Sequence, residues 1–482
     1  MYKKISLFVA IVCIPVFFVT YQQLSFKSSE EIRVTDFSCF YHACVDRIEY
    51  PENVSELQSI VVKADKPIAI AGGKYSMGGQ AWCNDGIAID MKHLNAITAF
   101  DPENKIITIQ AGACWRDVQE FLEKYQLTVM IMQSYNDFSV GGSLSVNVHG
   151  RDPHGQIIES VDSIQVLLAD GSLKQASRTK NEDLFRAAIG GYGACGIIVN
   201  VTLRVESNYK IKRVMVKTPI HKFTDFFRNV VANDSNVALF NANIYEADFK
   251  NIVSFVWYKT NDPLTIFDVL HKGIKKLNIA EKSLPFALEY AVSEFSLAKK
   301  LRFLLDAKII KKINHVVWRS YEMSESVTSL AASSKSASKI LQEYFIPVAK
   351  FNTFASLMNK IIVKHKIKVL NISIRHVQKN NESILSYARE DCFAFVFYIA
   401  MDNNSQCHEQ TQFWTQELIS AALTVDGTYY LPYHLFASPE QFLKSYPRYP
   451  ELLKIKEKYD PMNKFQNNLT QKCEECCNLK KI

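Results

Sequence analysis

Two glycine-rich segments, residues 71–79 and 139–150, constrain most strongly how this chain folds. Each follows a short apolar run, at residues 68–70 and 129–132, that predicts a β-strand. Glycine allows positive φ values and lets a ligand approach the main chain closely. Successive free amide groups in such turns form a concave site for an anion. The two loops together predict a large ligand with two phosphates, and a nucleotide cofactor is the natural candidate.

Two common nucleotide-binding templates do not fit this sequence. It contains no Gly-Lys-Ser/Thr phosphate loop. Its closest approach to Gly-x-Gly-x-x-Gly, at residues 190–196, runs into the strand-like residues 197–201 instead of a helix,. A Rossmann dehydrogenase or a P-loop enzyme is therefore disfavoured. A single Gly-Gly turn is more often a hairpin or a bulge, so the cofactor prediction depends on the two loops together.

Residues 45–208 resemble the FAD-binding domain of the vanillyl-alcohol oxidase superfamily, the PCMH-type flavoproteins. The matching segments follow one another at the family's spacing: Tyr50-Pro51, Val54-Ser55-Glu56-Leu57, the first glycine loop, residues 87–91 with Leu94-Asn95, residues 107–113, the second glycine segment, and residues 168–171, 183–185 and 193–198. The nearest members are the sugar-lactone and alditol oxidases and the decaprenylphosphoryl-ribose oxidases. The resemblance implies an α+β protein with a PCMH-type FAD-binding domain of two α/β subdomains, an α+β substrate (cap) domain, and a C-terminal segment that returns to the FAD domain.

The pattern along the chain predicts four parts: residues 1–27, a membrane anchor or signal; 28–208, the FAD-binding domain; 209–430, the substrate domain; and 431–482, the returning segment. Residues 458–467 resemble the family's C-terminal Asp-Pro…Phe-x-Asn signature. In the substrate domain we predict strands at residues 211–216, 252–257 and 393–399, and helices at 223–232, 354–365 and 412–423.

The resemblance implies FAD and the residues that hold it. Many relatives attach the flavin through a histidine in a Gly-x-x-His-Ser pattern, where this chain has Tyr75, so we expect FAD without a covalent bond. The expected pyrophosphate contacts are Ala71, Gly72, Gly73, Lys74, Tyr75, Ser76, Met77 and Gly78. The expected contacts to the ribityl chain and ring are Ser139, Gly142, Ser143, Ser145, Asn147, His149 and Gly150. Ile198 would bind the other end of FAD through its backbone, and a supporting structural role is an alternative for His149.

Arg375 and His434 are the candidates for the chemistry. In a strand, Ser373, Arg375 and Val377 share one face. A cation over the flavin would stabilise the negative charge that develops as the ring accepts hydride, and Arg375 fits that role. His434 suits a general base near neutral pH. A surface arginine and a hydrogen-bonded loop histidine are the alternatives.

The sugar-lactone and alditol oxidases carry Glu-x-Arg where this chain has Ser373-Ile374-Arg375, and a lysine near the position of His434. The retained arginine implies hydride-transfer chemistry, and the two replacements leave the substrate open. Residues 342–347 resemble the Glu-Tyr-x-x-Pro element of the same group. Glu343 or Tyr344 therefore either supplies a polar contact or packs in the core.

In residues 1–27, Lys3 and Lys4 precede an apolar run at residues 5–20, which is short for a spanning helix,. The bulky residues at the end of this run make a poor signal-cleavage site, so we predict an uncleaved anchor over a removed signal. The lysines favour a cytoplasmic N-terminus and a catalytic body on the outer (periplasmic or lumenal) side. Residues 265–313 form a predicted basic amphipathic insert, which is either a solvated helical cap or a second contact with an anionic membrane surface.

The predicted function is oxidation of a hydroxyl group on a polyol, a sugar lactone or a lipid-linked sugar. The electrons would pass to oxygen, a quinone or a cytochrome. The alternatives are FAD-dependent reduction of a double bond in a sterol-like lipid and a non-catalytic flavin-binding membrane protein.

A net charge of +7 gives no reason to expect nucleic acid. The 11 cysteines, an odd number, argue against a complete disulfide framework, and Cys473, Cys476 and Cys477 lack the nearby ligands that would complete a metal site,.

Overall fold

The structure is a computed structural model that describes residues 32–244, 249–265, 315–327, 337–402 and 404–478. The predicted anchor lies outside the described residues, as does the predicted basic insert except for Thr265. Among the helices that are described, none has both the length and the apolar character needed to cross a membrane.

The strands of the described residues are β1 (Ile32–Thr35), β2 (His42–Val45), β3 (Arg47–Glu49), β4 (Ile68–Ala71), β5 (Ile87–Asp90), β6 (Ile97–Asp101), β7 (Ile106–Gln110), β8 (Leu127–Val129), β9 (Val161–Leu167), β10 (Leu173–Ser177), β11 (Ile197–Ser207), β12 (Lys210–Pro219), β13 (Val237–Ile244), β14 (Asn251–Lys259), β15 (Val316–Trp318), β16 (Ala337–Pro347), β17 (Val369–Val377), β18 (Cys392–Asp402) and β19 (Thr428–Tyr429). The α-helices are α1 (Val54–Lys63), α2 (Trp115–Glu123), α3 (Val140–Ser145), α4 (Glu182–Ala188), α5 (Phe223–Phe226), α6 (Arg319–Glu322), α7 (Phe351–His365), α8 (Ser405–Leu423), α9 (Pro439–Ser445), α10 (Tyr449–Tyr459) and α11 (Asn468–Asn478). Short 3-10 turns occur at Met91–His93, Ile157–Ser160, Ile220–Lys222 and Val348–Lys350.

A small parallel sheet in the order β3-β5-β4 carries the first glycine loop. Strands β4 and β5 are mostly apolar and buried, and Leu57 and Val61 of α1 belong to the same buried cluster,. The loop begins where β4 ends, at the C-terminal edge of this sheet. Ile68 of β4 also pairs with Phe465, so the C-terminal segment returns to this sheet.

A larger antiparallel sheet in the order β10-β9-β11-β7-β6 forms the rest of the cofactor domain, with β8 paired to β11. Trp115 of α2 and Phe185 of α4 are fully buried in its main core. This sheet therefore gives the second glycine segment, which packs beside β7 and β11, a rigid support.

The described part of residues 209–430 is built on an eight-stranded sheet in the order β15-β12-β14-β13-β17-β18-β16-β19. The pairings among its described strands are all antiparallel. Helices α7 and α8 pack against each other and contact β16. Side chains alternate along each strand, so one face packs against helices and the other remains available for a site.

The predicted substrate-domain strands are confirmed within β12, β14 and β18. The helices differ at their ends. The helix predicted at residues 223–232 is α-helical only to Phe226 and continues as a π-turn over Phe227–Val231, where Ala232 N–H donates to the carbonyl of Phe227. Helix α8 begins well before residue 412 because the Asn404 side chain accepts a hydrogen bond from the Cys407 amide and caps the helix,.

Two other local predictions also change. The second glycine segment opens as the short helix α3, because the Ser139 hydroxyl caps it by accepting from the Gly142 amide. The strand predicted at residues 129–132 ends at Val129. There the buried guanidinium of Arg319 donates to the carbonyls of Val129 at 2.9 Å and Met130 at 2.6 Å, so the Met130 carbonyl is bound by a side chain and not by a neighbouring strand.

Candidate active site

A cavity of about 590 Å³ lies between the glycine loops of the cofactor domain and the open face of the eight-stranded sheet. This volume is typical of a small-molecule or cofactor site. Its wall combines backbone from the glycine loops with polar side chains from the sheet. The arrangement suits a ligand with an anionic part at one end and a reactive part at the other.

The first glycine loop presents its backbone to the cavity. Lys74 adopts a φ of 62°, and its ammonium group lies 2.6 Å from the buried carboxylate of Asp90. Among the described residues, no protein acceptor takes the backbone amides of Lys74, Tyr75 and Ser76, which belong to the cavity lining. Unpaired amides that line a cavity are the donors an anion requires.

Ser139 joins the two glycine segments. Its hydroxyl accepts from the Gly73 amide at 3.1 Å and from the Gly142 amide at 3.3 Å. A Cβ atom on Gly72 would lie 2.3 Å from the Ser139 Oγ atom. The close contact explains why glycine is needed at residue 72, since any side chain would push the segments apart.

The start of helix α3 in the second glycine segment has its amides paired within the protein. The Val140 amide donates to the Ala113 carbonyl at 2.8 Å, and the Gly141 amide donates to the Ala111 carbonyl at 2.7 Å. These two amides are therefore not available to an anion, in contrast to those of Lys74, Tyr75 and Ser76.

Tyr75 lies in an aromatic wall of the cavity. Its ring stacks on Phe138 with a centroid distance of 4.7 Å, and the edge of the ring contacts Phe37 at 5.3 Å. All three residues line the cavity. The N-terminal segment that carries Phe37 thus closes the cavity on the side of the first glycine loop.

The sheet wall is made by residues that the register places side by side. Asn243 on β13 pairs with Ser373 on β17, Ser373 pairs with Val396 on β18, and Val396 pairs with Glu343 on β16. All four line the cavity. Alternation along the strands adds a second set on the same face: Asn241, Asn371, Arg375, Tyr398 and Leu341,.

Arg375 points into the cavity, as its predicted face requires. Its Nε atom is buried and has no hydrogen-bond partner within the described residues. A guanidinium group with an unused donor favours binding to a carbonyl or alkoxide oxygen of a ligand. Val377, on the same side of the strand, is fully buried beyond the end of the cavity.

A buried chain of hydrogen bonds runs along the cavity wall. The Glu343 Oε1 atom lies 2.7 Å from the His149 Nε2 atom, and the Tyr433 hydroxyl donates to Glu343 Oε2 at 3.2 Å. Burial raises the pKa of Tyr433 well above its ordinary value; the charge of Glu343 adds to this rise and that of Arg375 opposes it. Tyr433 is therefore protonated and orients the carboxylate of Glu343. Tyr344, the other candidate of its pair, is buried in the core and donates to Gln342.

Glu325 is the second carboxylate of the cavity. It follows α6 in a loop, and Arg151 lies 3.4 Å from its carboxylate. Its side chain keeps 48% of its surface exposed, and it forms part of the cavity wall. Desolvation raises the pKa of Glu325, Arg151 opposes this effect, Glu322 adds to it, and Arg375 opposes it.

His434 does not belong to the residues that line the cavity. Its Nε2 atom lies 3.0 Å from the buried hydroxyl of Ser38, and its ring stacks on Phe436. Burial, with a smaller contribution from His408, lowers the pKa of His434 to about 3. The structure therefore places this imidazole in a packing role behind the site, and the role of base predicted for it must be corrected.

The cavity wall brings together many of the residues predicted to hold the cofactor: Gly72, Gly73, Lys74, Tyr75, Ser76, Met77, Ser139, Gly142, Ser145, His149 and Ile198. Ala71, Gly78, Ser143, Asn147 and Gly150 lie outside it. Ser143 accepts from the indole of Trp115, and Asn147 donates to Gln156, so both support the loop from behind.

Sequence reasoning missed several functional candidates, which are Glu325, Tyr433, Asn241 and Asn243. Period-two alternation in β13 is a signal that could have indicated the two asparagines together. The loop around Glu325 has no periodicity that fixes the direction of a side chain.

Residues 45–177 match the family model of the FAD binding domain, and residues 286–473 match that of D-arabinono-1,4-lactone oxidase. An uncharacterized oxidoreductase, ORF5 in the fasciation locus of Rhodococcoides fascians, is 32% identical over 37% of this chain and 41% of its own length. L-gulonolactone oxidase of Mus musculus is 27% identical over 38% of this chain and 43% of its length. D-arabinono-1,4-lactone oxidase of Yarrowia lipolytica is 30% identical over 33% of this chain and 32% of its length. The matched region thus spans less than half of each of these relatives.

The cofactor is FAD, and the residues of the cavity fit it. FAD carries a pyrophosphate, and the free amides of Lys74, Tyr75 and Ser76 are suitable donors for it. The close contact at Gly72 leaves no room for a side chain between that loop and Ser139. The polar face of the sheet then adjoins the part of the cavity that is left for a second ligand.

Proposed function

We propose that this chain, which belongs to the vanillyl-alcohol oxidase superfamily, oxidises a hydroxyl group of a small sugar lactone or polyol by hydride transfer to FAD. The observation that carries the proposal is the shared cavity. One wall holds the unpaired amides of the first glycine loop, and the other holds Asn243, Ser373 and Arg375. Amide, hydroxyl and guanidinium groups are the partners that a compact polyhydroxylated ligand requires.

FAD, when bound, supplies the hydride acceptor. Arg375 would hold the oxygen of the reacting carbon, because its Nε donor is unused in the protein. It would also stabilise negative charge that develops beside it during the reaction. Asn243 and Ser373 lie one strand apart and would bind further hydroxyl groups of the same substrate. These contacts orient the C–H bond, which is the main requirement for efficient hydride transfer.

A group in the cavity must also accept the hydroxyl proton. His434 is unsuitable because it is buried away from the cavity. Among the residues that the structure describes, the carboxylates in the lining are those of Glu343 and Glu325. Glu343 has both oxygens engaged, by His149 and Tyr433. It therefore acts as a positioning residue for these two side chains.

The flavin is held without a covalent bond in this proposal. Tyr75 occupies the loop position where many relatives carry the linking histidine, and its ring is packed between Phe37 and Phe138. Acid precipitation of the holoprotein tests the claim. A yellow supernatant that contains FAD agrees with it, and a yellow pellet shows that another residue forms a covalent bond.

We also propose that the chain is held at a membrane by residues 1–27, with the catalytic body on the outer side. The support is the two lysines and the apolar run of that segment,. In this setting a lipid-linked sugar is a further candidate substrate, and the electron acceptor is oxygen, a quinone or a cytochrome.

Anaerobic mixing with candidate substrates tests the function. L-Gulonolactone and D-arabinono-1,4-lactone, the compounds that give the relatives their names, and simple alditols should bleach the oxidised flavin spectrum. A sterol-like alkene with NADPH serves as the control for the reductase alternative. Bleaching by NADPH alone, with none by any lactone or alditol, would refute the proposal.

A further inference from the structure

We propose that Glu325 is the catalytic proton acceptor for the substrate hydroxyl, and that it replaces from a different element the carboxylate that Ser373 does not provide. The inference builds on the proposed function, since it assigns a step of that reaction. It begins from a mismatch in the cavity. The family resemblance implies Glu-x-Arg at residues 373–375, and here Arg375 is kept while residue 373 is a serine.

The backbone around Glu325 is fixed to the cofactor domain. Its amide donates to the Ser134 carbonyl at 3.2 Å, and its carbonyl accepts from the Asn136 amide at 2.9 Å. The Val327 amide and the Ser326 hydroxyl both donate to the Asp137 carboxylate, at 2.6 and 3.0 Å. A loop held on both sides of one residue presents that side chain in a defined direction, which proton transfer requires.

The carboxylate of Glu325 has fewer protein partners than that of Glu343, the other carboxylate that lines the cavity. The Nη2 atom of Arg151 lies 3.4 Å from the Glu325 Oε1 atom. That arginine is also bound elsewhere, because it donates to the backbone carbonyl of Glu322 and lies 3.5 Å from the Glu322 carboxylate. Glu325 therefore keeps oxygen atoms for a substrate, whereas both oxygens of Glu343 are used by protein groups.

The charges around Glu325 also suit a base. Arg151 and Arg375 favour the ionised carboxylate, while desolvation and the charge of Glu322 oppose it. Glu322 is in turn 3.4 Å from His315. The balance raises the pKa of Glu325 above its ordinary value. A raised pKa makes the ionised carboxylate a better proton acceptor.

The step is balanced. With FAD bound, the hydroxyl proton would pass to a Glu325 oxygen as the C–O bond becomes a carbonyl, and the oxidised flavin would supply the acceptor for the C–H hydride. The substrate loses two electrons, which the flavin gains. The electron acceptor of the proposed function restores the oxidised flavin, and the proton on Glu325 is released to solvent.

Glu325→Gln is the direct test, with anaerobic reduction of the FAD-loaded protein by L-gulonolactone or D-arabinono-1,4-lactone as the assay. We expect flavin content to match that of the wild type and the rate of flavin reduction to fall by about 100-fold or more, the usual contribution of a general base. Affinity of the lactone for the dithionite-reduced protein should change by less than about tenfold, since the amide preserves shape and hydrogen bonding. Wild-type reduction by E325Q would overturn the inference.

Glu322→Gln is the matched control, because it removes the same charge close by but outside the cavity lining. Without that charge the pKa of Glu325 should fall, so the acid limb of the reduction rate should move to lower pH with little change in the maximal rate. An unmoved limb would contradict the assignment even if E325Q failed to fold.

Ser373→Glu in the E325Q background supplies the reverse test. A carboxylate returned to β17 beside Arg375 should recover at least about tenfold of the lost rate, given the contribution of a general base. If E325Q is slow and the double variant holds FAD but recovers no rate, the claim that Glu325 takes the place of a carboxylate on β17 is contradicted. If the wild-type protein is reduced by no lactone or alditol, the proposed function fails and this inference fails with it.

Discussion

The Glu343 carboxylate binds the His149 imidazole at 2.7 Å, and both side chains are only 3% exposed. His149 lies at the end of the second glycine segment and Glu343 on the central sheet of the substrate domain, so this contact joins the two walls of the cavity. Tyr433 donates to the second oxygen of the same carboxylate. The position of the substrate wall relative to the flavin loops depends on this three-residue chain.

Replacing Glu343 with alanine should therefore destabilise the protein strongly. The change leaves His149 and the Tyr433 hydroxyl buried without their partner, and each unsatisfied buried group costs about 1–3 kcal/mol. Equilibrium unfolding in urea measures the loss. Glu451→Ala is the control, since its ion pair with Arg448 is partly exposed and is worth less than about 1 kcal/mol,. Equal losses of unfolding free energy in the two variants would contradict the structural role assigned to Glu343.

The contact between Gly72 and Ser139 predicts non-additive mutational effects. Gly72→Ala should lower the free energy of unfolding by about 1–3 kcal/mol through overpacking, and should weaken FAD binding. Ser139→Ala alone should cost about 1 kcal/mol through loss of the helix cap. The double variant should cost less than the sum, because the clashing Oγ atom is gone and the next contact lies at 3.5 Å,. Simple additivity would show that the two segments do not meet as described.

His434 should make stability depend on pH. Its pKa is about 3 in the folded protein and about 6.5 when unfolded, so between these values the unfolded chain binds the extra proton. Stability should thus fall as the pH drops through this window, by up to about 1.4 kcal/mol per pH unit. The raised pKa of Asp36 acts with the opposite sign. The difference in the free energy of unfolding between the wild type and a variant at residue 434, measured as a function of pH, gives the contribution of the histidine alone.

His434→Gln should remove this slope and leave the rate of flavin reduction within about threefold of wild type, since mutations remote from the chemistry change it little. Ser38→Ala is the control, because it removes a hydrogen-bond partner of His434 but keeps the imidazole buried. Because Ser38 also donates to Asp36 at 2.8 Å, that variant should be less stable and should change the Asp36 contribution to the pH dependence, while the part of the slope that H434Q removes should remain. A large loss of reduction rate in H434Q would restore His434 as the candidate base.

Asn243 should contribute to substrate binding and little to flavin binding. It lies beside Ser373 on the sheet wall, away from the glycine loops. Asn243→Leu should raise the Kd of L-gulonolactone for the reduced protein about tenfold, the effect of losing one or two hydrogen bonds to a ligand. Flavin content is the internal control. An unchanged Kd would show that the substrate binds in a part of the cavity away from Asn243.

The parts of the site that sequence could predict are those with a repeating pattern or a backbone requirement. Glycine at residue 72 reflects a contact that admits no side chain, and this signal is visible in the sequence. The direction of Arg375 follows from strand alternation, which places Ser373 on the same face,. The same alternation separates Glu343, which faces the cavity, from Tyr344, which faces the core.

The parts that sequence could not predict lie where the chain is irregular. His434 and Tyr433 are adjacent in a segment outside any strand or helix, and only tertiary packing decides that the tyrosine reaches the cavity. Glu325 is placed by hydrogen bonds to residues 134–137, which are distant in sequence. The extent of α8 was underestimated because the cap at Asn404 precedes the apolar pattern.

The most direct measurement of the central claim is anaerobic stopped-flow reduction of the FAD-loaded protein, compared between wild type and Arg375→Ala. The wild-type spectrum should bleach with L-gulonolactone or D-arabinono-1,4-lactone. The R375A protein should hold the same amount of FAD and bleach about 100-fold more slowly or not at all, because it lacks the cation that stabilises developing charge. Equal bleaching of the two proteins would contradict the account, since the oxidised carbon would then lie away from Arg375.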